Sequence, residues 1–366
     1  MKINNTNIFD THIHCDVPGD IRTCVDGLSS SACGVTKFGM LTLGHMKPGS
    51  EVMSRVNSNP VVLAAKVLYP DKVYGLGAPD DVEVFDMDEP SAAKALEHQA
   101  ERIHALGFDG VKLIESKPEY YVSYKHKIGS PVFTPFFKSL ETNNLPVLWH
   151  VGDPLIYWDL INAPEHLKAK GWVYDNTYPT LEFLWQDALS VVKRHPRVNF
   201  VFAHMFFMTH NIPRLSRIFE EYPNFYMDIT PGSWVYFDIA KNLDTTREMF
   251  VKYSERIVFG SDNALRGGKF SVEKSVNHIL HIRRLMESDD RWEAGKYVLH
   301  GLNLPEEVLR KIYSSNADKI FGKVPKKISY TAAIEECRRM LTVYPPTPSS
   351  SVPDYISQAL KLIENR

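Results

Sequence analysis

Cysteine is scarce in this chain: four residues in 366, at Cys15, Cys24, Cys33 and Cys337, with no Cys-x-x-Cys pair among them. So few thiols exclude a disulfide framework and make a reducing cytoplasm the expected compartment. Long apolar runs are missing as well. No stretch reaches the roughly 18 residues a membrane-spanning helix requires, and the polar start Met1–Asn7 leads straight into an apolar run, leaving no signal peptide to expect. An excess of either charge is also lacking. Lys and Arg number 42 against 44 Asp and Glu, a net charge of −2, which gives neither nucleic acid nor an anionic membrane an electrostatic reason to bind. Internal repeats are absent. What is left is an ordinary globular composition, 44% hydrophobic, with the core to build a small-molecule site.

The chain is organised around Ile8-Phe9-Asp10-Thr11-His12-Ile13-His14. As a strand, this run turns Asp10, His12 and His14 to one face and Phe9, Thr11 and Ile13 to the other. Two imidazoles side by side on a rigid strand are the usual beginning of a site for zinc or a similar divalent ion. Cys15 has the opposite parity and reads as a packing residue. Further along, short apolar runs alternate with segments of helical period, the pattern of repeated βα units. Strands are expected at Ile8–His14, Lys37–Leu43, Val73–Gly77, Phe108–Ile114, Leu145–His150, Val198–His204, Asn224–Ile229 and Arg256–Asp262. Eight such strands close a (β/α)8 TIM barrel, a fold of about 250 residues before insertions. Residues 1–322 are therefore expected to form the barrel. The remainder, 323–366, carries two helical stretches around the breaker Pro345–Ser351 and is expected to strap the outside of the barrel, with a homodimer contact as the alternative.

The C-terminal strand ends of such a barrel surround one mouth, where active sites are built. His12 and His14, His150, His204 and Asp262 each lie at an expected strand end, so all five converge there. A single strand-end histidine is ordinarily a satisfied polar cap, and Ser261-Asp262-Asn263 alone is no more than a turn cap; their coincidence at one mouth points to a metal site.

These residues also carry a family resemblance. Phe9–His14, Gly110-Val111-Lys112-Leu113, the strand-end His150, Phe202-Ala203-His204, Phe259-Gly260-Ser261-Asp262 and the late run Ile312–Gly322 resemble the amidohydrolase superfamily. Within it, the chain is similar to the branch that includes aminocarboxymuconate-semialdehyde decarboxylase and resorcylate decarboxylase. The resemblance spans residues 8–322. It implies one divalent ion, zinc with manganese as the alternative, held by His12, His14, His150 and Asp262, and a catalytic role for His204 as base or polarising group. Asp262 would take a proton from a metal-activated water and pass it to a leaving group. The decarboxylases of the branch have substrate-carboxylate arginines after the first strand that do not map onto Arg22 or Arg55. Hydrolysis of an amide, ester or lactone is therefore the expected reaction, and non-oxidative decarboxylation of an aromatic or unsaturated acid the alternative.

Three further features bear on the site. Lys112 lies on strand four, where some members of the superfamily carry a carboxylated lysine bridging two metals, but the resembling branch does not use its lysine in this way, so a single ion is expected. Glu115 competes with it as a strand-four ligand and reads as an ordinary loop carboxylate. After His150 comes a long stretch, Asp153–Tyr178, rich in aromatics. Because it leaves the barrel beside the expected metal, Tyr157, Trp158 and Trp172 are candidate substrate contacts, the competing reading being that these rings pack the loop onto the barrel. Arg266 is a further candidate substrate contact.

Overall fold

The computed structural model describes residues 6–43, 58–80, 82–231, 233–266, 270–294, 297–343 and 352–366. Of the polar, Gly/Pro-punctuated segment 45–60, expected to be a loop, residues 45–57 with Arg55 lie outside the described residues, as does the whole of the Pro345–Ser351 breaker; Asn59 and Pro60 already belong to the helix Asn59–Leu68. Nine parallel strands form one sheet: β1 Ile8–Cys15, β2 Val35–Leu41, β3 Val73–Gly77, β4 Gly110–Ser116, β5 Val147–Val151, β6 Phe200–Phe202, β7 Phe225–Asp228, β8 Ile257–Val258 and β9 Asn263–Leu265. Their order is β8-β7-β6-β5-β4-β3-β2-β1-β9. β8 and β9 are two pieces of one broken eighth strand. The first piece pairs with β7 and the second with β1, which closes the sheet into the (β/α)8 barrel.

Helices cover the outside because their apolar stripes have nowhere else to go. Leu181–Arg194 starts where Thr180 Oγ1 accepts from Phe183 N at 3.1 Å, and it buries Leu181, Leu184, Trp185, Ala188, Leu189 and Val192, the stripe its sequence predicts. Ser271 caps Val272–Glu287 in the same way. Inside the barrel, Phe9, Leu41, Tyr74, Leu148, Val201 and Val258 form one cluster, and Ala317, Ile320 and Phe321 of the helix Asn316–Phe321 join it. The inner presence of Phe9 departs from strict alternation along β1. Register shifts between Ile8 and Phe9 and between Asp10 and Ile13 bring Phe9 to the same interior as the histidines. Helices Tyr330–Val343 and Val352–Glu364 pack on each other and on Asn59–Leu68. All four cysteines are buried and free. Among the described residues no helix is long and apolar enough to cross a membrane.

Two expected strand ends are corrected. Asp262 does not end a strand: it sits between β8 and β9 with φ 59°, and its N–H donates to His12 O at 2.9 Å. Strand β6 likewise stops at Phe202, short of His204. The helix Ser233–Lys241 and the antiparallel hairpin Arg291–Ala294/Tyr297–His300 were not expected from the sequence.

Candidate metal centre

At the mouth, β1 brings His12 and His14 against the break in the eighth strand. Asp10, one turn of the pleat below, fixes the two pieces together: its Oδ1 accepts from His12 N at 3.2 Å and from Ser261 N at 3.0 Å. Only glycine fits at position 260, since a Cβ there would stand 2.6 Å from Thr230 Cγ2 and 3.0 Å from His12 Cβ. The close approach sets Asp262 over the histidines. Asp262 Oδ1 lies 3.0 Å from His14 Nε2 and 3.6 Å from His12 Nε2, and these three residues form a group able to hold a metal ion.

Hydrogen bonding decides which imidazole nitrogens can serve as ligands. His12 Nδ1 faces Asp228 Oδ2 at 2.8 Å. Burial works against the charge on Asp228, but the bond to His12, the neighbouring His12 and His204 rings and the Thr230 hydroxyl together hold it below the usual carboxylate range, so the ring donates there and Nε2 keeps its lone pair. That lone pair faces a carboxylate oxygen, a repulsion that a cation between the two relieves. Tetrahedral ligands at about 2.0–2.1 Å from one ion stand roughly 3.3 Å from each other. The separations of 3.0 and 3.6 Å bracket that value, so the donor set fits a divalent ion. Burial pushes His14 down to about 4 and lowers His12 as well, which keeps both rings neutral, the form that binds metal. Desolvation works against the charge on Asp262, but the bond from His14 and the adjacent imidazoles outweigh it, and the carboxyl stays ionised.

The other expected site residues are placed differently. His204 stands next to His12, ring centroids 5.6 Å apart, and next to His150 at 5.1 Å. Its backbone begins a run of four left-handed residues, His204, Met205, Phe206 and Phe207, with φ of 55°, 52°, 58° and 48°. Such a conformation costs about 1–2 kcal/mol per residue without glycine. It is held by His204 N donating to Asp228 Oδ1 at 2.8 Å and by Trp185 Nε1 donating to Phe206 O at 2.9 Å. The hydroxyl of Thr230 gives its only proton to Asp228 Oδ1, so at 3.1 Å it accepts from His204 Nδ1. His204 Nε2 is thereby left as an acceptor. His150 is outside the group of three: its Nε2 donates to Gly152 O at 2.9 Å, so Nδ1 is the nitrogen without a proton.

Sequence reasoning missed Asp228, which supports His12, His204 and Thr230 at once. Its only signal is a carboxylate at the end of an apolar strand, which any turn cap also shows. It missed a second support too. Asp153 takes Lys117 Nζ at 2.6 Å and Tyr174 Oη at 2.5 Å and lies 3.7 Å from His150 Nε2. Tyr174 is buried and packs on Trp158 at 4.8 Å and on Tyr157 at 6.2 Å, while Trp158 Nε1 donates to Pro179 O. Trp172 is 41% exposed with Lys170 Nζ 4.4 Å from its ring centre. Arg266 pairs with Asp16 at 3.2 Å. From these contacts, Trp158→Ala is expected to lower stability by up to about 3 kcal/mol, and Trp172→Ala by no more than about 0.5 kcal/mol. Thermal melts of both variants check this.

Lys112 and Glu115 are buried inside the barrel beside the centre. Among the described residues Lys112 Nζ has no hydrogen-bond partner. Burial pushes its pKa down to about 8 against the pull of Asp228, Asp262 and Glu115, and burial pushes Glu115 up to about 7. An ammonium without a partner weakens the fold unless something binds it. Lys112→Met keeps the volume and removes the charge, so the metal-free protein is expected to gain about 1–3 kcal/mol, read as a higher Tm. An unchanged or lower Tm would show that the charge is already compensated.

Comparison with known proteins agrees with this architecture. Residues 76–323 match the amidohydrolase family model; the chain belongs to that family, and so to a family of enzymes. By overall structure it is similar to a Staphylococcus aureus protein assigned as an amidohydrolase, with TM-score 0.51, 16% identity, and 87% of this chain and 99% of that one covered. It is also similar to 2,6-dihydroxybenzoate decarboxylase in complex with 2,6-dihydroxybenzoate, at TM-score 0.50 and 14% identity, and to the same decarboxylase from Rhizobium, at 0.50 and 15%. Both pairs cover 87% of this chain and 99% of the other. At such identities the likeness is one of fold. A sequence search of curated proteins finds no match.

Proposed function

We propose that the protein is a metal-dependent hydrolase cleaving a C–N or C–O bond, in an amide, ester or lactone, of a small organic molecule. The observation that carries this reading is Asp262: an ionised carboxylate beside two neutral imidazoles, with 35% of its side chain open to the mouth. A divalent ion bound by His12, His14 and Asp262 supplies Lewis-acid chemistry, acidifying a water and polarising a carbonyl oxygen. Zinc suits two nitrogens and one carboxylate oxygen, and manganese is the alternative. Asp262 accepts the proton of the attacking water and returns it to the leaving nitrogen or oxygen. His204 Nε2, fixed as an acceptor by Thr230, orients that water from the other side. His150, anchored by Gly152 and Asp153, borders the same space and offers Nδ1 as a fourth donor.

One observation favours a second reading, non-oxidative decarboxylation: the ammonium of Lys112, without a hydrogen-bond partner among the described residues, is a cation that attracts a substrate carboxylate. A panel of lactones, N-acyl amines and aromatic acids, tested on metal-loaded protein with both acid release and CO2 release recorded, separates the two. Acid release without CO2 is the expected result. CO2 from the aromatic acids, with no turnover of the other compounds, overturns hydrolysis in favour of decarboxylation.

A further inference from the structure

Beside the candidate metal centre lies a cavity of 340 Å³ lined by none of its proposed ligands. Its walls come from Pro154–Ile156 after β5, from Phe207, Thr209 and His210 after β6 and from one side of the helix Ser233–Lys241 after β7. All three segments follow C-terminal strand ends, so the cavity opens on the same face of the barrel as His150 and His204. Phe207 is the shared wall. Its ring stacks on His204 with centroids 4.9 Å apart and meets His150 edge-on at 5.5 Å, and it also lines the cavity.

The cavity has an apolar side and a charged end. Leu155, Ile156, Phe207, Trp234 and Val235 supply aliphatic and flat aromatic surface. At the polar end, Asp238 faces Thr209 and Lys241. The Lys241 ammonium is 3.5 Å away on a side chain 68% exposed, whereas the Asp238 side chain is 20% exposed, so the lysine is a loose and well-hydrated partner. His210 is kept below its ordinary pKa by burial and adds no charge at neutral pH. Asp159 adds a second negative charge, but its oxygens are taken up by Ile161 N and by Asn162 N and Nδ2 of its own turn. Two carboxylates against one lysine leave the lining net negative, with Asp238 the acceptor turned to the cavity. The volume is at the small end of ligand pockets, about 300–1,000 Å³, enough for one ring and a short tail.

Resting on the hydrolase reading, we propose that this cavity is the subsite for the part of the substrate remote from the scissile bond, and that it selects a flat apolar group ending in a positively charged nitrogen. The ring lies against Phe207 and Trp234, the nitrogen pairs with Asp238, and an anionic tail is rejected. Calorimetric titration of the full-length protein with phenethylamine, and with 3-phenylpropionate as its anionic counterpart, tests this. The charge comparison is made on metal-free protein, where a carboxylate has no ion to bind. Phenethylamine is expected to bind metal-free and metal-loaded protein alike, at least tenfold tighter than 3-phenylpropionate binds the metal-free form, with Asp238→Asn abolishing that preference. Equal binding of the two probes, no saturable binding of the amine, or an Asp238→Asn variant that keeps the preference each overturns the proposal. Because the comparison needs neither metal nor turnover, a failure of the hydrolase reading shows separately, as absent acid release with amine binding intact.

Discussion

Asp228→Ala is expected to cost about 3–5 kcal/mol of folding stability, the usual cost of stripping one partner from a buried charged network, and to weaken metal binding about 10–100-fold. Asp228 makes no contact with the proposed ion. It accepts from four donors: His12 Nδ1 at 2.8 Å, His204 N at 2.8 Å, Thr230 N at 3.1 Å and the Thr230 hydroxyl. Without it, His12 Nδ1 and the N–H and hydroxyl of Thr230 lose their acceptor, His12 loses the bond that fixes its tautomer, and the left-handed turn at His204 keeps only the bond from His204 N to Thr230 Oγ1 at 3.0 Å. Chemical denaturation and a competition assay for metal affinity measure the two effects. A variant that keeps wild-type metal affinity would contradict the role assigned to the His12–Asp228 bond.

The second large effect is expected at the carboxylate that faces the mouth. Asp262→Asn should lower kcat/KM by about 10²–10⁴-fold, the scale of a lost general base, while His12 and His14 retain most of the metal. Amide and carboxylate have nearly the same shape, so the variant removes the proton acceptor without opening a cavity. The left-handed backbone at Asp262 also tolerates asparagine better than most residues. Kinetics and elemental analysis of the same preparation distinguish the outcomes: near wild-type turnover would leave Asp262 a ligand only, and loss of the metal would make its catalytic part inseparable from binding.

Much of this architecture was legible in the sequence because strand-end residues and periodic helices leave local signals. The His12-x-His14 pair, the apolar run before each strand end and the stripe of Leu181–Val192 all follow from side-chain parity or a 3.6-residue period. The strand breaks did not, because their causes are long-range. The eighth strand is interrupted where Asp10, some 250 positions earlier in the chain, draws Ser261 N to its carboxylate, and no local pattern around Ser261 reports that. The helix at Ser233–Lys241 was missed because Trp234, Val235, Tyr236 and Phe237 are consecutive, which hides any period. The aromatic loop kept both of its readings open in the sequence. Its rings differ by what they meet far along the chain: Tyr174 finds Asp153 and is buried, whereas Trp172 lies at the surface under Lys170.

The proposed centre requires that His12, His14 and Asp262 together hold one ion. Elemental analysis of protein purified without chelators, alongside the double variant His12→Ala/His14→Ala, measures that directly. About one equivalent of zinc or manganese per chain in the wild type, as a single ligand set requires, and close to none in the double variant is the expected result. Two equivalents in the wild type would bring Lys112 back as a bridging ligand, and metal retained by the double variant would place the site elsewhere in the barrel.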